Sequence, residues 1–196
     1  MFDEASAFNQ PLNSWNTAKV TSMERMFDEA SAFNQPLNSW NTSKVTNMMV
    51  MFGNAHAFNQ DLNNWNVSKV VNMEYMFSRA YVFNGNISGW NVSNLTYAPY
   101  LFSNAWKFNK NISGWNVSKL SNMVGMFKEA TVFNQNISGW NVQKINKTGV
   151  SSGAGNAGIY GQNANNHSDS LFRTSSLSYF WVKGRPFTNS ELVTAV

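Results

Sequence analysis

Apolar residues in this chain fall into columns 25 positions apart, and the local period changes within each 25-residue unit. Met23, Met26, Phe27, Ala30 and Phe33 stand at i, i+3, i+4, i+7 and i+10, the spacing of one helix face. Ser22, Asn47, Asn72 and Asn122 precede this segment in their copies and predict caps for free backbone N–H groups. The following stretch, Leu37 to Val45, alternates instead, with Trp40 and Thr42 on one face and Asn41 on the other. Val67, Val92, Val117 and Val142 replace the Thr in later copies, which favours a strand. The prediction is one short strand and one short helix per unit. Strands of neighbouring units would pair in parallel at about 4.8 Å.

The unit recurs six times. Phe2, Phe27, Phe52, Phe77, Phe102 and Phe127 keep the interval, as do Trp15, Trp40, Trp65, Trp90, Trp115 and Trp140. Ala5 to Ala130, Phe8 to Phe133 and Asn9 to Asn134 keep it too. Strict self-similarity at such a period is the signature of stacked repeats. The expected fold is an α/β repeat, a leucine-rich-repeat-like solenoid spanning residues 1–150. The fourth copy is irregular: Ala98 and Leu101 replace the two Met, and Pro99 predicts a displaced helix start. In the sixth copy the frame fails after Ile145, with Thr148 in a Met column. Residues 151–166 are small, polar and aperiodic, and read as a loop or linker. Leu177 to Val182 predicts a strand, ended by Lys183-Gly184-Arg185-Pro186. Residues 167–196 are expected to cap the last coil or to form an arm that docks elsewhere.

Composition sharpens this picture. Only 12% of residues are charged, but 15% are aromatic and 31 are Asn, so there is ample apolar surface to bury and disorder is excluded. With no Cys there is no disulfide framework and no thiol chemistry. No apolar run is long enough for a membrane-spanning helix. No signal peptide is visible, and Met1-Phe2 enters the repeat in register with Met26-Phe27, so an upstream segment carrying a signal or anchor is expected. Charge is uneven. Residues 1–75 hold four basic and seven acidic side chains, a net −3, whereas residues 76–150 hold seven and one, a net +6. That gradient, with Phe2, Phe8 and Trp15 in the first coil, predicts head-to-tail contact between copies of the chain.

The run MFxxAxxFNQxLxxWNxSxVxxM, from Met51 to Met73, resembles the BspA-like leucine-rich-repeat surface protein family, and the resemblance covers residues 1–147. Members of that family are mostly bacterial cell-surface proteins and lipoproteins, with further copies in protists and large DNA viruses. The resemblance implies extracellular display and protein binding or adhesion without a catalytic site. Many members carry Asp after the repeat Trp. Every copy here has Asn, which argues against acidic or calcium-dependent surface chemistry.

Catalysis needs a cluster of proton-exchanging or nucleophilic groups. His56 and His167 are isolated in unrelated contexts, with His56 expected to face solvent, and Ser151-Ser152-Gly153 has no base nearby in sequence. No enzyme, cofactor or metal site is therefore expected. Three columns remain as candidates. Asn16, Asn41, Asn66, Asn91, Asn116 and Asn141 are expected to stack as an amide ladder, or else to form a face that binds ice or sugars. Lys19, Lys44, Lys69, Lys119 and Lys144, with Asn94 in the fourth place, form either a device against lateral sheet contacts or a strip for acidic glycans or anionic lipid. Nucleic acid is a poor fit, since basic residues are few and the repeat aromatics belong to the core. Ten Asn-x-Ser/Thr sequons occur, and the turn column Asn86, Asn111 and Asn136 is the credible one for glycans. The expected function is a non-enzymatic interaction or structural protein displayed on a cell surface, with a virion or surface-assembly component and a glycan-binding adhesin as alternatives. Its partners would be other proteins or neighbouring copies of itself, and acidic glycans.

Overall fold

The computed structural model describes residues 1–137, 139–142 and 144, together with the pairs Trp181–Val182 and Arg185–Pro186. Successive 25-residue coils stack on one another, but the expected strand-plus-helix coil is not what they contain. There is no helix among the described residues. Extended pairing within the stack shrinks to single parallel bridges, Ser22 with Asn47, Asn47 with Asn72, Asn72 with Tyr97 and Tyr97 with Asn122. Two short strands lie outside it: β1 (Trp181–Val182) pairs antiparallel with β2 (Arg185–Pro186), Val182 opposite Arg185. The predicted strand at Leu177 to Val182 is thus seen in its last two residues. The linker at 151–166, the rest of the cap or arm at 167–196, Thr148 and His167 lie outside the described residues.

The α/β prediction fails for a backbone reason. An α-helix needs φ near −63° at every residue. Here Arg25 and Glu29 have φ of 51° and 59°, Val50 and Asn54 of 55° and 54°, and Tyr75 and Arg79 of 53° and 56°. Tyr100, Asn104, Gly125 and Glu129 repeat the pattern. Each left-handed non-Gly residue costs about 1–2 kcal/mol, and two per coil forbid a helix. Amides alternate between two uses instead. Those of Met26, Ala30 and Phe33 close tight turns onto the carbonyls of Met23, Phe27 and Ala30. Those of Met23, Arg25, Phe27 and Glu29 cross to the carbonyls of Asn47, Met49, Met51 and Gly53 in the next coil, at 2.8–2.9 Å. A helix would consume all these groups internally and leave the coils unlinked. A run of tight turns still returns an apolar side chain to the interior every third or fourth residue, hence the helix-like spacing.

The expected strand from Leu37 to Val45 is likewise bounded by turns, from Trp40 N–H to Leu37 and from Val45 N–H to Thr42. Its alternation is real: Trp40 and Thr42 are buried and Asn41 is exposed. The cap column also acts, though on a turn. Met49, Glu74 and Val124 donate their N–H groups to the side-chain oxygens of Asn47, Asn72 and Asn122 at 2.8–3.0 Å. In the fourth coil Tyr97 offers no such acceptor, and the residue two places on is Pro99, which has no N–H to satisfy. Pro99 is therefore a compensation for Tyr97 rather than a helix start.

Inside the stack, rings form continuous columns. Phe27, Phe52, Phe77, Phe102 and Phe127 follow one another at centroid distances of 5.5–5.7 Å. Trp40, Trp65, Trp90, Trp115 and Trp140 follow at 6.1–6.5 Å. Each of these indoles donates its N–H to a carbonyl 28 residues earlier, Leu12, Leu37, Leu62, Ile87 and Ile112 in turn, at 2.8–3.3 Å. Buried indoles need such an acceptor, and here the bond also fixes one coil against the next. In the first coil Trp15 is 39% exposed and Phe2 and Phe8 are partly buried.

Candidate interaction surface

The Asn column predicted as a ladder does not carry the inter-coil bonds. The side-chain oxygens of Asn16, Asn41, Asn66, Asn91 and Asn116 each accept from the amide two residues on, at 3.0–3.1 Å, within their own coil. Asx turns of this kind compete with ladder formation. All five, and Asn141, are exposed. The ladder belongs to another column that the sequence displays equally well. The oxygens of Asn9, Asn34, Asn59, Asn84 and Asn109 accept the backbone N–H of Asn34, Asn59, Asn84, Asn109 and Asn134, one coil on, at 2.7–3.0 Å. Gln35, Gln60 and Gln135 reinforce it by donating to Asn9, Asn34 and Asn109. Each column follows a ring column, Phe in one and Trp in the other, so the neighbouring residue does not distinguish them.

Lys19, Lys44, Lys69, Lys119 and Lys144 all project from the surface. Asn94 sits among them, accepting from Lys119 Nζ at 2.6 Å and donating to the Ser68 carbonyl. Among the described residues the ion pairs are those of Arg25 with Asp3 and Asp28. Asp28 is 3% exposed, and burial pushes its carboxyl up, opposed by the Asn54 hydrogen bond and by Arg25. Arg25 is held protonated first by its bond to Asp3 and then by Asp28. Asn86 is half-buried, whereas Asn111 and Asn136 are exposed; Asn86 and Asn111 accept from the amides of Ser88 and Ser113.

What the column reading missed is a set of surface aromatics that break the repeat, Tyr75 and Trp106 exposed and His56, Tyr81 and Tyr100 half-buried. His56, Tyr81 and Trp106 occupy one column, preceded by Ser6 and Ser31 and followed by Thr131. Their rings stack at 4.5 and 4.0 Å, so His56 is engaged rather than free in solvent. Tyr75 and Tyr100 stack at 4.9 Å in a separate column. Burial raises the Tyr75 phenol, with Tyr100, Glu74 and Tyr97 adding to it. Reading each surface column for aromatics would have found both sets. Among the described residues no group of three His, Cys, Asp or Glu side chains could hold a metal ion, and no helix is long and apolar enough to cross a membrane.

Coils built on shared ring columns define a repeat protein. Residues 1–84 and 62–158 match the family described as Mycoplasma protein of unknown function, DUF285, and the chain belongs to that family. No curated protein and no solved structure matches the chain.

Proposed function

We propose that this chain is a non-enzymatic repeat protein displayed on a cell surface, where its outward columns bind other proteins. One observation carries the reading. The ring columns and the Asn9-to-Asn109 column hold coil to coil, and large aromatics that break the repeat face out, Tyr75, Tyr97 and Trp106 at 36%, 37% and 44% exposure. Tyr and Trp of this kind are the residues on which protein interfaces concentrate their energy. Membership of a repeat family and the resemblance of Met51 to Met73 to BspA-like surface proteins support the same reading. Protease added to intact cells of the source organism tests it. Surface display predicts cleavage before lysis; protection until the membrane is opened contradicts it.

The Lys column supports a second reading, a strip for polyanions such as acidic glycans, because its five lysines are exposed, one in each coil but the fourth, with no carboxylate partner among the described ion pairs. Lys44→Glu with Lys69→Glu should abolish salt-sensitive retention on a polyanion column. Unchanged retention leaves the lysines a device against lateral association.

A further inference from the structure

The His56–Tyr81–Trp106 column differs from the ring columns inside the stack, because it ends one coil before they do. Phe77 and Phe102 each have a ring of their column on both sides, whereas Trp106 has Tyr81 on one side only. On its other side the column continues as Thr131, an exposed side chain too small to cover an indole, whose hydroxyl donates to the Trp106 carbonyl at 3.4 Å. The five core indoles of Trp40 to Trp140 donate to carbonyls, but the Trp106 N–H has no acceptor among the described residues.

The chain on either side of Trp106 is polar. Lys107 follows Trp106 and donates its amide to the Tyr81 carbonyl at 3.2 Å, which fixes it beside the stack. Asn104 precedes Trp106 by two and bonds through its amide to the Lys128 carbonyl at 2.7 Å; Glu129 is the next residue along. Arg79, two before Tyr81, is exposed, as are Lys107 and Lys128. In the first two coils the same positions hold Ser6 and Ser31 with Asp3, Glu4, Asp28 and Glu29, so no comparable platform exists there. An indole face open on one side, in a stretch of chain that carries Asn104 and Lys107 and, one coil on, Glu129, suits a ligand whose ring has an apolar face and a hydroxylated edge.

We propose that Trp106 is the floor of a saccharide-binding site, on which a pyranose ring stacks as the next member of the column, above Thr131. Tyr81 and His56 hold the indole flat from behind. Asn104, Glu129 and Lys107 meet the sugar hydroxyls, with Lys107 and Arg79 favouring a uronate over a neutral ring. This goes beyond the interaction scaffold proposed above and does not depend on the Lys column.

The test uses the full 196-residue chain, with its indole N–H signals followed by NMR. Chito-, laminari- and galacturonate hexamers are titrated in turn, and oligo-dT of similar length serves as the competing planar ligand. The expected result is a selective shift of the Trp106 signal with at least one hexamer, assigned by its absence in Trp106→Phe. Affinity should fall about tenfold or more in Trp106→Ala, the size of effect expected of a central aromatic contact. Trp106→Phe should keep most of it, and Asn64→Ala, at an exposed position outside every proposed site, all of it. A Trp106 signal unmoved by all three hexamers, a shift with oligo-dT alone, or affinity unchanged in both Trp106→Ala and Tyr81→Ala would overturn the proposal.

Discussion

Trp90 and Trp106 lie sixteen residues apart, and their surroundings have little in common. Trp90 is 3% exposed, has an indole on either side at 6.5 and 6.1 Å, and gives its N–H to Leu62 of the preceding coil. Trp106 is 44% exposed, with one ring behind it and no acceptor among the described residues. The interior column is set by the need to repeat: any ring out of register would leave two neighbouring coils without a partner. The outer column has no such constraint, and so can change from Ser to His to Tyr to Trp to Thr along the stack. Repetition marks what holds the molecule together; departure from repetition marks where it can act on something else.

The two tryptophans provide the sharpest contrast. Trp65→Ala or Trp90→Ala should cost about 3–5 kcal/mol and abolish cooperative unfolding in thermal melts, since each opens a cavity between coils. Trp106→Ala should cost well under 1 kcal/mol, as surface substitutions usually do apart from special features. Equal effects would erase the distinction. The two Asn columns come next. Asn34→Ala removes the acceptor for the Asn59 amide and for Gln60, and should lower stability by about 1–3 kcal/mol. Asn41→Ala loses only a local turn bond and should cost about 0.5–1 kcal/mol by chemical denaturation. The reverse order would restore the ladder to the Asn41 column.

A double-mutant cycle separates the fourth coil from its neighbours. Pro99→Ala creates an amide with no side-chain acceptor at Tyr97 and should cost about 1–2 kcal/mol. Adding Tyr97→Asn should recover most of that loss, because Asn47 and Asn72 show how the acceptor is supplied. Additive losses would mean the two residues are independent. The smallest effect is that of pH. The Asp28 carboxyl is raised in the folded state, so folding takes up a proton just above the ordinary carboxylate range. Stability contributed by the protonated form is therefore lost as pH rises through that window. Asp28→Asn should flatten the slope of melting temperature against pH there; an unchanged slope would assign it elsewhere, Glu74 being the other raised carboxyl.

The repeat frame and the identity of the core were legible because burial leaves a residue-type record: Phe27, Phe33, Trp40 and their copies are apolar in every coil. The backbone path was not. Tight turns and helices bring residues inward at the same spacing, and the residues that decide between them, Arg25, Val50, Tyr75 and Tyr100, are not types that announce a left-handed φ. Only Gly125 in that column does. Nor could sequence say which invariant Asn column links the coils, since Asn9 and Asn16 recur equally. Pro99 looked like an irregularity because its partner is two residues away in a different role. The exposed aromatics were present in the sequence but hidden by attention to what repeats.

The central claim is that the coils, over the described residues, are made of turns bonded to their neighbours and contain no helix. Scalar coupling across hydrogen bonds, measured at the Phe52 amide, tests it most directly. The structure predicts coupling to the carbonyl carbon of Met76, 24 residues ahead in the next coil, across a 2.8 Å bond. A helix would place the coupling partner four residues back, at Met48. Coupling to Met48 would contradict the account.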